Sequence, residues 1–370
     1  MSGRRVLHVS QTDDGGVGRF LEYIVADQVR RGDEVAVAVP PEGRTLAGAL
    51  VEPWRLRSTG PSPWLPLEVR SLAGIVRRFR PEVVHLHSSK AGLAGRLLLR
   101  RRLPTLFQPH SWSFLAVEGP VARATLAWER AGARWADVIV CVSDDERRVG
   151  EERGIHPPGY RVFPHGVDLE RWPAPPAGAR EQARAGLGLD TAPLAVCVGR
   201  LHRQKRQHAL LDIWPQVREA VPGARLALVG DGPDRAALEA RAVEGVSFAG
   251  AVDDVREWLL AASLVVQPSK WEAGVPLSVM EALACGRGVV ATDAPGLRDI
   301  GRDLPGTPVV PVDDEIGLRD AIAERLANPD RADREGAAGR AFAEARDDLG
   351  RQMAGIRGLY EEIVEGRSRA

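Results

Sequence analysis

Ser269-Lys270-Trp271-Glu272-Ala273-Gly274-Val275-Pro276-Leu277-Ser278-Val279-Met280-Glu281-Ala282 is the stretch of sequence that indicates the fold most directly. The apolar residues 264–266 before it are typical of a buried strand, and residues 277–284 are typical of a helix. A Gly-Val-Pro turn therefore separates the end of a strand from the start of a helix. In an open α/β sheet such a turn attracts anions, because free backbone N–H groups and the positive end of the helix point outward together.

Two carboxylates flank this turn: Glu272 precedes it, and Glu281 lies inside the predicted helix. An acidic pair beside an anion site suits a ligand that carries both phosphates and hydroxyls, as a nucleotide sugar does. A solvated glutamate near a helix N-terminus, which the helix dipole favours in any case, explains the same pattern. The stretch by itself leaves both interpretations open.

The chain is long enough for two domains, because 370 residues that are 44% apolar can fill two cores. No run of about 18 apolar residues occurs, so we expect no transmembrane helix. The cysteines Cys141, Cys197 and Cys285 are far apart and each has apolar neighbours, which predicts buried thiols in a reducing compartment. We therefore expect a cytoplasmic protein.

The net charge is zero, but it is unevenly distributed along the chain. Residues 1–135 carry 20 basic and 12 acidic side chains, a net charge of +8, so the remainder carries −8. A basic first part suits a phosphate-bearing acceptor or an anionic lipid surface. It predicts peripheral contact with the inner face of a membrane, although an ordinary solvated arginine-rich surface has the same composition.

Predicted strands alternate with predicted helices along the whole chain, which is typical of α/β domains with parallel sheets. Strands are predicted at residues 5–10, 34–39, 82–87, 105–108, 137–142, 161–163, 194–198, 225–229, 246–249, 264–266, 288–292 and 308–311. Helices are predicted at 19–31, 72–79, 255–262 and 277–284, after the basic loop 199–206 up to residue 217, and in the charged tail 329–370. The segment 171–179, rich in Pro, Ala and Gly, separates two halves of similar size. We expect an N-terminal domain over residues 1–168, a linker over 169–189, a second domain over 190–345 and a helical tail over 346–370.

A glycine-rich loop follows the first predicted strand, with glycines at positions 15, 16 and 18. This spacing is neither the G-x-G-x-x-G of dinucleotide-binding folds nor a Walker A sequence, which argues against a dinucleotide dehydrogenase. Glycines still allow a ligand to approach the backbone closely, so Gly15 and Gly16 are candidate ligand contacts. A plain tight turn is the alternative.

Polar side chains follow two further predicted strands of the first half. His87, Ser88 and Lys90 follow the strand at 82–87, and His110 follows the strand at 105–108. Because the carboxyl ends of parallel strands face the ligand crevice of such folds, these residues are candidates for a binding site. A lone histidine such as His110 is as well explained by a structural role as by a catalytic one.

Arg200 and Lys205 stand in the basic loop after the predicted strand at 194–198, where we expect a helix to begin. A guanidinium fork and a compact ammonium five residues apart suit a diphosphate. A solvated basic helix start is the alternative, but cations are unfavourable at a helix N-terminus unless an anion lies there.

Lysine is rare in this chain. Of its 50 basic residues only Lys90, Lys205 and Lys270 are lysines. Because nearly all other basic residues are arginines, each lysine indicates a position at which a compact ammonium is needed. All three fall in stretches already selected for other reasons, although so small a number also fits chance.

Taken in order, these motifs resemble the retaining glycosyltransferases of family 4, which have the GT-B fold. Each motif is weak alone, whereas the ordered set is specific and covers nearly the whole chain. The motifs are Gly15-Gly16-Val17-Gly18, His87-Ser88-Ser89-Lys90-Ala91-Gly92, Pro109-His110-Ser111, Phe163-Pro164-His165-Gly166-Val167-Asp168, Val198-Gly199-Arg200-Leu201 with Gln204-Lys205, Val229-Gly230-Asp231-Gly232-Pro233, and the stretch from Glu272 to Glu281. The resemblance implies two facing Rossmann-like α/β domains with a cleft between them, and a C-terminal helix that returns to the N-terminal domain.

The resemblance also implies roles for single residues. Arg200 and Lys205 match the pair that neutralises the leaving diphosphate, and Glu281 matches the glutamate that bonds the ribose hydroxyls. Glu272 matches the residue that contacts the transferred sugar, and His110 matches the histidine beside that sugar. The other donor-binding candidates are the loop positions Gly15, Gly16, Val252, Gly274, Val275, Pro276 and Leu277. The candidates on the acceptor side are His87, Ser88 and Lys90.

This chain departs from the family pattern in one spacing. The family has seven residues between its two glutamates, whereas here residues 273–280 make eight. Either the turn bulges by one residue or Glu272 is displaced, so the departure bears on the role of Glu272 more than on that of Glu281.

The chemistry that the resemblance implies needs no metal and no resident cofactor. Cleavage of the bond between the anomeric carbon and the phosphate adds negative charge to the diphosphate, which preformed positive charge stabilises. The sequence contains no Asp-x-Asp motif and no cluster of His and Cys with the spacing of a metal site. We expect Arg200, Lys205 and a helix N-terminus to supply that charge.

The resulting expectation is a hexosyltransferase that uses a nucleotide-diphosphate sugar, with UDP as the expected nucleotide, and that acts on a glycan, a lipid-linked glycan or a small molecule. The His-Ser-Ser-Lys-Ala-Gly stretch resembles bacterial polysaccharide enzymes, which favours a role in the cell envelope or exopolysaccharide. No nucleic-acid partner is expected. Two alternatives stay open: a nucleotide-sugar epimerase of the same fold, and a non-catalytic subunit that binds sugar nucleotides. A fold-level resemblance does not determine the substrate.

Overall fold

A computed structural model of the protein describes residues 3–13, 15–41, 46, 48–58, 60, 62–304, 307–346 and 348–368. Asp14, in the predicted glycine-rich loop, and Asp347, in the predicted tail, lie outside this described part. The chain divides into two compact units, residues 1–164 with 351–370 and residues 165–350. Each unit is built on one parallel sheet with helices, which confirms the predicted α/β fold class.

The strands agree closely with the apolar runs of the sequence, since strands of parallel sheets are covered on both faces and are apolar almost throughout. They are β1 (Arg5–Ser10), β2 (Glu34–Val39), β3 (Leu50–Pro53), β4 (Val83–His87), β5 (Thr105–Gln108), β6 (Val138–Cys141), β7 (Tyr160–Val162), β8 (Leu194–Val198), β9 (Arg225–Val229), β10 (Val246–Gly250), β11 (Leu264–Gln267), β12 (Val289–Thr292) and β13 (Val309–Val310). Every residue of β4, β8 and β11 is buried.

The α-helices follow the strands in alternation. They are α1 (Gly15–Arg30), α2 (Leu65–Phe79), α3 (Ser88–Leu99), α4 (Gly119–Gly132), α5 (Asp144–Glu152), α6 (Ala179–Gly186), α7 (Gln207–Ala220), α8 (Arg235–Glu239), α9 (Arg256–Ala261), α10 (Leu277–Ala284), α11 (Arg298–Asp303), α12 (Glu315–Ala327), α13 (Pro329–Arg346) and α14 (Asp348–Ser368). Short 3₁₀-helices occur at Ser113–Leu115 and Ala133–Trp135. None of the described helices is both long and apolar enough to cross a lipid bilayer.

Within the described residues, the sheet of the first unit has seven strands in the order β3-β2-β1-β4-β5-β6-β7, and every pair is parallel. Register places His8 opposite His85 and Ser10 opposite His87, so β1 and β4 end together. The core around Leu7, Val84 and Phe107 lies beneath that edge. The carboxyl ends of β1, β4 and β5 therefore meet at one edge, as the sequence predicts.

The second unit has, in its described part, six parallel strands in the order β10-β9-β8-β11-β12-β13. Its two core clusters contain alternating residues of the same strands and therefore lie on opposite faces of the sheet. One cluster includes Val196 and Val265, and the other includes Leu226 and Leu264. Because β8, β11 and β12 are neighbours, the loops that follow them share one edge.

The glycine-rich segment is helical rather than a loop. Helix α1 begins at Gly15, so Gly15, Gly16 and Gly18 form its first turn. A Cβ on Gly18 would lie 2.0 Å from the carbonyl oxygen of Asp13, an approach that only glycine permits. Close packing of the helix start against the preceding backbone therefore overrides the low helix propensity of glycine.

Other helices also begin where the sequence predicts irregular structure. Helix α3 begins at Ser88, directly after β4, so residues 88–92 are helical. Helix α2 begins at Leu65, seven residues before the predicted start, whereas β3, α4 and α12 were not predicted. The predicted linker contains helix α6, whose Ala183 is buried in the core of the second unit.

The predicted helical tail consists of α13 and α14. Helix α14 packs within the first unit, where the Tyr360 hydroxyl lies 2.8 Å from Nδ1 of His85 on β4. The Arg367 guanidinium pairs with Asp137 at 2.7 Å, beside the start of β6. The C-terminal helix therefore covers part of the N-terminal sheet.

Candidate active site

Three loops meet at the carboxyl edge of the second sheet, after β8, β11 and β12. The backbone N–H of Lys270 donates to the carbonyl of Gln204 at 2.8 Å, which joins the β8 loop to the β11 loop. The N–H of Glu272 donates to the carbonyl of Pro295 at 2.9 Å, which joins the β11 loop to the β12 loop. These two bonds place the predicted site residues of separate segments side by side.

Glu272 is the centre of this cluster. Its carboxylate accepts hydrogen bonds from Lys205 Nζ at 2.6 Å, from Ser269 Oγ at 2.5 Å, and from Gln204 Nε2 and Gln267 Nε2, both at 3.3 Å. The whole residue is only 9% exposed. A nearly buried carboxylate with four donors is held in one orientation.

The pair of Lys205 and Glu272 brings together two residues that the resemblance assigns to different parts of the donor. An ammonium has three N–H donors, so Lys205 can bond Glu272 and still donate to a phosphate oxygen. Residues 268–276 between β11 and α10 are irregular, so one additional residue in this segment would alter no strand or helix. In this arrangement Glu272 lies directly against Lys205.

Gly296 holds the backbone beneath Glu272. Its φ is +87°, and a Cβ at this position would lie 2.8 Å from both the carbonyl oxygen of Glu272 and the amide nitrogen of Gly274. Any larger residue would have to push the β11 loop aside. The loop of Glu272 is therefore held by backbone packing as well as by side-chain hydrogen bonds.

Arg200 lies in the same β8 loop as Lys205, but neither residue is in a helix. Helix α7 begins only at Gln207, and Arg206 before it has a φ of +54°. The N–H of Leu201 donates to the carbonyl of Asp231, and Gln207 Nε2 donates to the carbonyl of Arg200 at 2.9 Å, which holds the segment in an irregular form. The Arg200 side chain itself is exposed.

Helix α10 carries the remaining candidates of the second unit. Gly274, Val275 and Pro276 lead into its first residue, Leu277, so the N-terminus of this helix directly follows the Glu272 loop. Glu281 is buried in the second turn of this helix. Val252 follows β10 and packs partly buried against the second-unit core.

In the first unit, His87 is buried at the end of β4 and Ser88 opens α3 with a φ of +68°. Lys90 does not point outward. Its Nζ lies 2.9 Å from Glu68 Oε2 and 2.8 Å from the carbonyl of Gly60, and both charged side chains are buried. This placement favours a structural role for Lys90, whereas its role on the acceptor side stays a prediction.

His110 occupies a strained turn after β5. His110 and Ser111 have φ values of +52° and +95°, which L-residues seldom adopt. Buried Glu146 of α5 accepts a hydrogen bond from the N–H of Ser111 at 2.7 Å and from that of Val142 at 2.9 Å. The Glu146 carboxyl therefore holds the turn that presents His110.

Burial raises the pKa of Glu146 to about 7, and the two backbone N–H bonds only partly oppose this shift. Between the ordinary value of 4.5 and 7, the folded protein holds a proton that the unfolded chain has lost, so the stability falls as pH rises through this window. We expect wild type to lose up to about 3 kcal/mol more than Glu146→Gln between pH 4.5 and 7. Urea unfolding across this range measures the difference in slope, and parallel curves for the two proteins would contradict it.

A cluster of histidines lies beside His110. His8 Nδ1 is 2.9 Å from His87 Nε2, and His87 Nδ1 is 3.2 Å from His110 Nε2. Burial lowers the pKa of His8 to about 4 and holds the pKa values of His85 and His87 well below 6.5, so these three rings are neutral at pH 7.

The imidazoles of His8, His85 and His87 lie close enough together to be considered as metal ligands. However, His8 uses both ring nitrogens in side-chain hydrogen bonds, to Gln28 and to His87, and His87 uses both, to His8 and to His110. A cation at this cluster would have to displace those bonds. The arrangement present in the structure is a hydrogen-bonded chain.

Each unit adds residues to its own group of candidates that the sequence did not indicate. In the second unit these are Gln204, Gln267 and Ser269, which donate to Glu272; in the first unit they are His8, Gln28 and Glu146. The histidines gave a usable signal, because four of the eight in the chain are at the ends of β1, β4 and β5 or within them. For Gln28, Gln204 and Gln267 the sequence contains no comparable signal.

Comparison with known proteins connects this geometry to a family. The family model described as "Glycosyltransferase Family 4" matches residues 14–171, and the model described as "Glycosyl transferases group 1" matches residues 192–328. A GDP-mannose-dependent alpha-mannosyltransferase of Mycobacterium tuberculosis is 30% identical over 384 residues, covering 97% of this chain and 98% of the relative. A GDP-mannose-dependent alpha-(1-6)-phosphatidylinositol monomannoside mannosyltransferase of Mycolicibacterium smegmatis is 32% identical over 272 residues, covering 70% and 68%.

Solved structures with the same fold are more distant in sequence. Sucrose-phosphate synthase from Thermosynechococcus elongatus has a TM-score of 0.82 and 22% identity, covering 98% of this chain and all of the other. HepE from Anabaena, in complex with UDP and glucose, has a TM-score of 0.83 and 19% identity, covering 97% and 100%. At these identities the likeness establishes the GT-B fold and not the substrate.

Proposed function

Because this chain belongs to the retaining glycosyltransferases of family 4, we propose that it transfers a hexose from a nucleotide-diphosphate sugar to an acceptor hydroxyl, with Lys205 and Glu272 in the donor site. The observation that carries the proposal is the contact of 2.6 Å between Lys205 Nζ and Glu272 Oε1 at the carboxyl edge of the second sheet. An ammonium held by a nearly buried carboxylate, in a loop next to the start of a helix, is suited to a phosphorylated sugar.

The proposed reaction depends on charge stabilisation. As the bond between the anomeric carbon and the diphosphate breaks, Lys205 and Arg200 stabilise the negative charge that accumulates on the leaving group. The first-turn N–H groups of α10 add to that stabilisation. The acceptor hydroxyl attacks on the face that the diphosphate leaves, and its proton passes to the leaving phosphate. Glu281 bonds the ribose, and Glu272 contacts the transferred sugar.

For the donor we propose GDP-mannose ahead of the UDP-sugar that the sequence suggested. The names of two relatives that are at least 30% identical specify GDP-mannose. The structural neighbour solved with UDP and glucose is only 19% identical and supports the fold alone. UDP-glucose therefore stays in the test as the second donor.

Asp253 gives a chemical reason to expect guanine as the base of the donor nucleotide. The family resemblance places residues 249–252 against the base of the donor, and exposed Asp253 directly follows them. Guanine presents two adjacent N–H donors on its pairing edge, which a single carboxylate can accept, whereas uracil presents one N–H between two carbonyls. We expect Asp253→Asn to lower kcat/KM for GDP-mannose about tenfold and to leave the rate with UDP-glucose nearly unchanged. Equal losses with both donors would contradict recognition of the base by Asp253.

The proposal is tested with UDP-, GDP-, ADP- and dTDP-sugars, with release of nucleoside diphosphate followed in the presence of EDTA. Slow hydrolysis of one sugar nucleotide, lost in Glu281→Ala, is the expected result. Conversion of the sugar nucleotide to an epimer without release of diphosphate would favour the epimerase alternative. Binding with no turnover, even with lipid and glycan acceptors, would favour the non-catalytic subunit, and dependence on a divalent cation would contradict metal-independent transfer.

We further propose that the acceptor lies at an anionic membrane, because the first unit exposes apolar and basic side chains together. At the start of α2, Trp64 is 45% exposed and Leu67 is 55% exposed. The Arg57 guanidinium lies 4.9 Å above the Trp64 ring, and exposed Arg70 is one helical turn beyond Leu67. Aromatic, aliphatic and basic groups on one helix face are suited to the boundary between headgroups and acyl chains.

Vesicle co-sedimentation tests this surface. We expect binding to phosphatidylglycerol vesicles at low salt, with a loss of at least threefold in Trp64→Ala and in Arg57→Glu, and weaker binding at high salt because the charges are screened. Val121→Ala is the control, since Val121 is 44% exposed on the separate helix α4. Equal binding by all four proteins, or binding that does not depend on salt or lipid charge, would contradict the proposal.

A further inference from the structure

A continuous chain of side-chain hydrogen bonds runs from α1 through β1 and β4 to the turn of His110. Gln28 Oε1 lies 2.9 Å from His8 Nε2, His8 Nδ1 lies 2.9 Å from His87 Nε2, and His87 Nδ1 lies 3.2 Å from His110 Nε2. Gln28, His8 and His87 are buried, whereas His110 is half-buried. The chain therefore connects a buried amide to the residue that the family resemblance places beside the donor sugar.

The oxygen of Gln28 gives this chain a direction. An amide oxygen can only accept, so His8 must carry its proton on Nε2, and its Nδ1 is then an acceptor. His87 must donate from Nε2 to that acceptor, which leaves its own Nδ1 as an acceptor for His110. It follows that His110 donates from Nε2. One buried amide thus determines the tautomers of three histidines.

Charge does not disturb this arrangement at neutral pH. Burial keeps the pKa of His8 at about 4 and that of His87 well below 6.5, so both rings stay neutral. A neutral imidazole has one donor and one acceptor, and a ring that uses both in hydrogen bonds cannot change tautomer without breaking them. The ring packing of Phe20, 5.3 Å from the His110 centroid and 5.8 Å from that of His87, holds the rings in place.

We propose that Gln28 and His8 are positioning residues that act through His87 to hold His110 in the tautomer with its proton on Nε2. In neutral His110 the Nδ1 atom is then a hydrogen-bond acceptor. An effect of this tautomer on catalysis rests on the proposed function, because it requires His110 to lie beside the transferred sugar, as the family resemblance implies. The tautomers themselves follow from the hydrogen-bond chain and do not depend on any activity.

The first test is therefore spectroscopic. In protein labelled with ¹⁵N-histidine, long-range ¹H–¹⁵N correlations at pH 7.5 distinguish protonated from unprotonated ring nitrogens, and single-histidine variants assign the signals. We expect His8 and His87 each to show a protonated Nε2 and an unprotonated Nδ1. Protonated Nδ1 in both rings would mean that the chain runs the other way, and would overturn the proposal even if the enzyme is active.

The second test compares three variants. Gln28→Met removes the acceptor at the end of the chain, and we expect mixed tautomers at His87 and about a tenfold loss of kcat with a nearly unchanged KM for the donor. Gln28→Glu keeps an oxygen of the same reach and should retain a single tautomer and most of kcat. His85→Leu is the matched control, because His85 is equally buried and its ring is 4.1 Å from His87, but it bonds Tyr360 outside the chain.

The outcomes separate the two proposals. Equal losses of kcat in all three variants would show that the cluster has only a structural role and would overturn the positioning proposal. The expected tautomers in a protein that turns over no sugar nucleotide would instead contradict the proposed function and leave the assigned hydrogen-bond direction intact. The expected tautomers together with a loss restricted to Gln28→Met support both.

Discussion

Lys205→Ala is expected to lower kcat with the preferred sugar nucleotide by about 10³-fold, the effect typical of removing one preformed charge from a leaving-group site. Lys205 is held by Glu272 at 2.6 Å, so its ammonium needs no rearrangement before the diphosphate leaves. Nucleoside diphosphate release under saturating donor measures the loss. The fold should persist, since Glu272 keeps its hydrogen bonds from Ser269, Gln204 and Gln267, and thermal unfolding checks this.

Lys270→Ala is the matched control for that experiment. Lys270 is in the neighbouring loop and its backbone N–H joins the two loops, but its side chain is exposed. The substitution removes the same charge and the same volume, and we expect kcat to stay within about threefold of wild type, since an exposed charge is screened by solvent. If Lys270→Ala were as damaging as Lys205→Ala, general positive charge near the site would explain the result and the specific role of Lys205 would be lost.

The strands could be predicted from the sequence because each strand is buried on both faces and therefore has a short, nearly continuous run of apolar residues. β1, β2, β5, β8 and β9 begin and end where their apolar runs do. The first residues of the helices were harder to predict from the sequence, because tertiary contacts decide where a helix begins. Gly18 shows the reason: its residue type suggested a loop, whereas close packing against the carbonyl of Asp13 makes glycine necessary inside α1.

The location of the candidate site was also predictable, but its internal bonding was not. Topology alone places the loops after β8, β11 and β12 at one edge, so the grouping of Lys205 with Glu272 follows from the order of the strands. Which donors surround Glu272 depends on side-chain directions several residues apart, as with Gln267 and Ser269. Likewise, no periodicity reveals that Gln28 of α1 reaches His8.

Two of the three lysines form enclosed ion pairs. Lys205 pairs with the nearly buried Glu272, and Lys90 pairs with the fully buried Glu68. Enclosure alone does not select lysine, because Arg96 is equally buried in its ion pair with Glu129. Lys270 is exposed and does not follow this pattern, so the structure offers no reason for lysine there.

Lys90→Met is expected to cost about 3–5 kcal/mol of unfolding free energy, because it leaves the carboxylate of Glu68 buried without its counter-charge. Both side chains are at most 2% exposed and 2.9 Å apart. The double variant Lys90→Met/Glu68→Leu should regain most of the loss, since replacing a buried pair by apolar groups is often nearly neutral. Urea unfolding measures all three proteins, and Lys270→Met, expected within about 0.5 kcal/mol of wild type, is the control.

The same variants decide between the two roles of Lys90. If the lysine is structural, the double variant regains transfer activity together with stability, because no acceptor contact has been removed. If Lys90 binds the acceptor, the double variant stays inactive in transfer although it is folded and still hydrolyses the sugar nucleotide. The burial of the ammonium against Glu68 and the carbonyl of Gly60 leads us to expect recovery.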